Sequence, residues 1–158
     1  MDWAGWATFG FVATVVLTAV MVGAQLAGWS RLDIPLMLGS TFVGPVDRAR
    51  VVGFFLHMAA GQTFALLYAA AFSLIGSASW MMGAGFGAVH GLVALTVIVP
   101  LLAGMNPRMA TERAGPELGA VLEPPGVLGL NYGVQTPAVA LIAHVAYGAI
   151  LGGFLQPR

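Results

Sequence analysis

The chain has 158 residues, 59% of them hydrophobic and only 8% charged, with a formal net charge of zero. Average soluble domains are near 25% charged, so six basic and six acidic residues cannot clothe a water-facing globule of this size. Disorder needs few apolar residues and high charge and is excluded too; a polytopic membrane protein remains.

Taken in chain order, four charge-free stretches exceed the roughly 20 residues needed to cross a bilayer. They are Trp6–Gly28, Val51–Ile75, Trp80–Ala103 and Thr136–Gln156. The first is too long for the apolar region of a signal peptide and lacks a basic leader, so it is expected to be a helix of the mature protein. Trp3, Trp6, Trp29 and Trp80 fall at the expected span ends, where amphipathic rings prefer to sit. The connection Trp29–Arg50 contains Ile34–Pro45, an apolar run too short to span, expected to lie in the interface or to dip in and return. Gly76-Ser77-Ala78-Ser79 reads as a tight helical hairpin. The connection Gly104–Gln135 is long and polar, broken by Pro107, Pro116, Pro124 and Pro125, and long loops in small proteins are more often functional than idle. The whole chain, 1–158, reads as one all-α integral membrane domain, a bundle of four transmembrane helices.

The charges are arginines (Arg31, Arg48, Arg50, Arg108, Arg113, Arg158) and the acids Asp2, Asp33, Asp47, Glu112, Glu117 and Glu123. Five arginines lie in the two long connections, which share one face, so those connections are expected in the cytoplasm and both termini outside. No basic patch offers itself to nucleic acid. The absence of cysteine removes disulfides, thiolate nucleophiles and Cys-ligated metal centres. No acid lies within an expected span, which argues against a carrier driven through a membrane carboxylate relay. No zinc-protease, phosphate-loop or nucleophile-elbow motif is present, and the chain reads as non-catalytic.

Two segments suggest an internal repeat. Leu38–Phe42 (LGSTF) precedes the second span and Leu128–Tyr132 (LGLNY) the fourth, and those spans carry HMAAG at His57–Gly61 and HVAYG at His144–Gly148. Two helical hairpins, each with a short apolar element before its second helix, would account for both. Close helix packing in lipid needs small residues. Gly83, Gly87 and Gly91 lie on one helix face, as do Gly148 and Gly152, and these are the expected contact faces. The run Gly83–Ala88 matches GxGxxA, but outside the strand–helix context that a dinucleotide site requires.

The three histidines, His57, His90 and His144, each occupy a different span beside these small-residue faces. Ionisable residues inside a membrane are costly and mark functional sites by default. Helix rise puts His57 and His144 at similar depth, roughly 9 and 12 Å from the cytoplasmic start of their spans, and His90 deeper at roughly 20 Å. Two level histidines can clamp haem b or a metal, and one or two can hydrogen-bond a quinone carbonyl. Each could equally bond only to a neighbouring helix. Gln25, Gln62, Tyr68 and Tyr147 are candidate supporting residues, Tyr147 being three after His144. Met58, and Met105 with Met109, suit copper(I) by chemistry, although core packing is the commoner use of methionine.

Asn106-Pro107-Arg108-Met109, Gly126–Pro137 (GVLGLNYGVQTP) and His144–Gly148, with the span order, resemble motifs of small bacterial four-helix integral membrane proteins of uncharacterised function. The resemblance runs from Asp33 onward and implies fold and membrane location, without an activity. In that pattern a His often stands where this chain has Asn106, so one potential ligand is missing from the loop. The expected function is a non-catalytic accessory subunit of a larger membrane complex such as a redox assembly, with partners in the bilayer, other membrane subunits or its own copies. A bacterial cytoplasmic membrane is the expected location. The rivals are a small oligomeric transporter or channel and a purely structural packing subunit.

Overall fold

The computed structural model describes residues 2–109 and 122–155. Among them the chain is all-α, with four helices long and apolar enough to cross a membrane. Glu112, Arg113, Pro116, Glu117 and Arg158 lie outside the described residues.

Helix α1 (Trp3–Leu26) starts at Asp2, whose carboxylate accepts the Gly5 N–H at 2.9 Å. This satisfies one of the N–H groups that every helix start leaves without a backbone partner. The short helix α2 (Ile34–Gly39) is capped in the same way by Asp33, whose carboxylate accepts from Leu36 at 2.9 Å. The other oxygen of Asp33 pairs with Arg50 at 2.9 Å. Helix α3 (Val46–Ile75) ends at Gly76, which takes the left-handed conformation that closes helices. Ser79 then caps α4 (Trp80–Met105) through the Met82 N–H, so the four-residue hairpin forms as its sequence predicts. Helix α5 (Thr136–Phe154) begins with Pro137 in its first turn, where a missing N–H is harmless.

The helices differ from the charge-free stretches at their ends. α3 begins five residues before Val51 and takes in Asp47, Arg48 and Arg50. A missing charge marks the hydrocarbon interior, whereas a helix continues into the interface while its backbone bonds hold. Ile34–Pro45 is helical only over Ile34–Gly39. The connection after α4 is not polar throughout. Val127–Tyr132 forms a short 3₁₀ element, with Leu128 at φ 55° and Gly129 at φ 75°. Around it Arg31 pairs with Glu123 at 2.6 Å, and the Tyr132 hydroxyl donates to the Glu123 carbonyl at 2.6 Å. Burial first, and the Glu123 carboxylate second, push that hydroxyl up to about 12, partly opposed by Arg31.

α5 packs on α4, α1 and α3, and buries Ala143, Tyr147 and Leu151 almost completely. The α4–α5 seam is made by the glycines that the sequence singled out. A Cβ on Gly83 would overlap the Gly148 carbonyl, and one on Gly87 would overlap the His144 carbonyl. α2 crosses α3 just as closely, since a Cβ on Gly39 would run into the Ala49 carbonyl and one on Gly53 into the Pro35 carbonyl. Away from these seams Phe11, Phe55, Leu67, Val89, Leu92 and Ile142 are exposed. Such an apolar outer face suits lipid, and the chain is a multi-pass membrane protein.

α4 contains one turn of π-helix, Ala94–Ile98, just before Pro100. Proline has no N–H and its ring crowds the carbonyl four residues earlier. The helix widens there, and the Val99 N–H reaches Ala94, five residues back. The start of α5 lies beside this region and not beside the end of α4. A Cβ on Gly129 would stand 3.2 Å from Thr136 and 3.8 Å from Leu95. From Leu95 to Met105 the helix runs on for roughly 15 Å.

Candidate functional site

His57 on α3, His90 on α4 and His144 on α5 line one cavity of about 110 Å³. Thr14, Leu17 and Met21 of α1 close one side, and Leu95 and Ile98 of the widened part of α4, with Leu102 one turn on, close another. The walls are apolar apart from the imidazoles, Thr14 and Tyr147.

His90 is not deeper than His144. Their rings meet edge to face at 4.8 Å. The expected depth difference assumed that Ala103 and Thr136 start at one level. Thr136 instead lies beside Leu95, so a helical turn counted from each end measures from different heights. Gly87 then lies against the His144 carbonyl and Gly91 against the His144 side chain, and His90 falls beside it.

Aromatic rings flank the cavity on the side of the α3–α4 hairpin. Phe64 packs on His90 with centroids 4.1 Å apart, and Tyr68 lies 6.0 Å from both His90 and Phe86. Phe72 stacks on Phe86 at 5.6 Å. Through these side chains α3 and α4 face each other across the site. Phe64 was not among the residues expected there. Its signal was its spacing, two helical turns after His57 and one before Tyr68.

The hydrogen bonds define what the polar atoms offer. His144 Nδ1 lies 2.7 Å from the Ala140 carbonyl, one turn back on its own helix. A carbonyl only accepts, so Nδ1 carries the hydrogen, and in the neutral ring Nε2 is an acceptor. The Tyr147 hydroxyl donates to the Gly61 carbonyl at 2.6 Å, tying α5 to α3. Tyr68 Oη and His90 Nδ1 are 3.4 Å apart, a long contact. No described residue makes a hydrogen bond to the His57 ring.

Of the expected supporting residues, Tyr68 and Tyr147 belong to the site and two do not. Gln25 donates to the Leu32 carbonyl at 2.7 Å and shapes the first connection. The Gln62 side-chain amide donates to the Ala7 carbonyl at 3.0 Å and the Gln62 main-chain carbonyl accepts from Trp6 Nε1 at 2.9 Å, which joins α3 to the first turns of α1. The methionine pair separates as well, since Met109 is buried and Met105 is 66% exposed. Asn106 is a structural clasp. Its amide donates to the Met37 carbonyl at 3.0 Å and to Ser40 at 2.8 Å, and its side-chain oxygen accepts the Arg108 N–H at 2.9 Å.

The geometry discriminates among ligands. Ligand pockets for larger molecules run to about 300–1,000 Å³, so a macrocycle such as haem does not fit about 110 Å³. The rings in contact are those of His90 and His144, which leave no gap for a haem plane, and not the pair His57 and His144 expected to clamp one. Among the described residues no group of three His, Asp or Glu side chains could hold a metal ion. A single six-membered ring is the upper limit of that scale, because an apolar cavity of roughly 150 Å³ takes up one benzene. Comparison with protein-family models, with curated proteins and with solved structures finds no match.

Proposed function

We propose that this protein is a non-catalytic accessory subunit of a membrane assembly, and that its histidine cavity holds the head ring of a small quinone-type molecule drawn from the lipid phase. The observation that carries this reading is the convergence of three imidazoles, from three helices, on one apolar cavity of single-ring size. The apolar walls suit a ring that partitions into lipid, and the imidazoles supply the few placed polar groups that fix its orientation. The motif resemblance supports a bacterial cytoplasmic membrane. The arginines at the ends of α1, α3 and α4 support long connections inside and termini outside. A periplasm-only reporter joined to the C-terminus is then active, and an inactive one reverses the orientation.

The ligand reading is tested on protein purified from native membranes in mild detergent. Mass spectrometry of the organic extract should find a ring compound with a quinone-type head at near-equal amount to the protein, and the visible spectrum should show no Soret band. His90→Leu with His144→Leu should lose the compound while remaining folded. A Soret band, a stoichiometric metal, or retention of the compound by the double variant would overturn the proposal. A protein with no bound compound that takes up neither added quinone nor added hydroquinone would be a structural subunit.

A further inference from the structure

We infer that the cavity selects the reduced, hydroxyl-bearing form of its ring ligand over the oxidised dione; this rests on the ring-binding reading above. Three residues on the wall have their polar hydrogen held by the backbone, so that each has only accepting capacity left to offer: Thr14, whose hydroxyl donates to the Gly10 carbonyl at 2.7 Å, His144 and Tyr147. His144 Nδ1–H is held by the Ala140 carbonyl at 2.7 Å, which leaves Nε2 with a lone pair. The Tyr147 hydroxyl hydrogen is held by the Gly61 carbonyl at 2.6 Å, which leaves its oxygen only accepting capacity. All three residues line the cavity.

A dione ring carries oxygen acceptors and no donor. Bound here, it would set acceptor against acceptor at His144 and Tyr147, and groups left unpaired in apolar surroundings are penalised. A hydroquinone or other phenol brings O–H donors that match them. His57 and His90 have no comparable backbone bond, so either ring can take the tautomer that donates back to the ligand oxygen. The selectivity therefore comes from the three fixed residues, Thr14, His144 and Tyr147, and the adaptability from His57 and His90. Gln at position 144 would break the pattern, because an amide both donates and accepts.

The test is calorimetric titration of the full chain in nanodiscs with methyl-p-benzoquinone and, separately, with methylhydroquinone under anaerobic conditions. The absence of cysteine prevents thiol addition to the quinone. The expected result is saturable binding of the hydroquinone at least about tenfold tighter than the quinone, the size of one mismatched buried hydrogen bond. His144→Gln should still bind but with that ratio brought close to one. Equal or tighter binding of the quinone by the unaltered protein would overturn the selectivity and leave the ring site standing. Saturable binding of neither compound would remove the ring site and the selectivity together.

Discussion

Gly87→Leu should destabilise the protein in detergent far more than Gly85→Leu, although the two positions are two residues apart on one helix. A Cβ at Gly87 would overlap the His144 carbonyl, whereas one at Gly85 meets nothing within 4 Å. Inserting a side chain into a packed seam costs about 1–3 kcal/mol and sometimes more. Here the obstacle is backbone, which cannot swing aside, so the upper end applies. Gly85→Leu should change stability by less than about 0.5 kcal/mol, as exposed substitutions do. Thermal unfolding followed by circular dichroism separates the cases. Equal tolerance at both positions would mean that the α4–α5 seam does not exist as described.

Asn106→Ala is the second large effect. The side chain is 4% exposed and makes three hydrogen bonds, to the Met37 carbonyl, to Ser40 and from the Arg108 N–H. Arg108 adds a bond from its guanidinium to the Ser40 carbonyl at 2.9 Å. The cluster holds the end of α4 against α2. Removing Asn106 leaves several buried groups unpaired, each costing about 1–3 kcal/mol. A loss of about 3 kcal/mol is expected in the same unfolding measurement. Asn106→Asp should be nearly as damaging, because a carboxylate cannot donate to the Met37 carbonyl. A neutral outcome for both would show that α2 is not held there.

The four spans and the glycine seam were legible because lipid imposes long apolar runs and close packing rewards small residues. Gly83, Gly87, Gly148 and Gly152 meet as their spacing predicted. Helix ends were less legible, since Asp47, Arg48 and Arg50 lie inside α3 and charge does not mark where backbone bonding stops. The three histidines were legible as a set, but their relative depth was not. Depth was counted along each helix from its own start, and nothing local in Val127–Tyr132 announces that it lies alongside Leu95–Gly104 and not beyond it. Phe64 hid in a helix full of apolar residues, where only contact with His90 distinguishes it. Asn106 drew attention as a missing ligand, and its role as a clasp depends on Met37 and Ser40, far away in sequence.

The central claim is that His57, His90 and His144 surround one ring-sized cavity. The chain has only three histidines, so ¹⁵N-histidine labelling gives three imidazoles to follow in nanodiscs by NMR. Without ligand, His144 should report a protonated Nδ1 and an unprotonated Nε2. Addition of methylhydroquinone should shift all three imidazoles together along one saturation curve. Three imidazoles unmoved by saturating ligand, or a His144 protonated on Nε2 alone, would contradict the account.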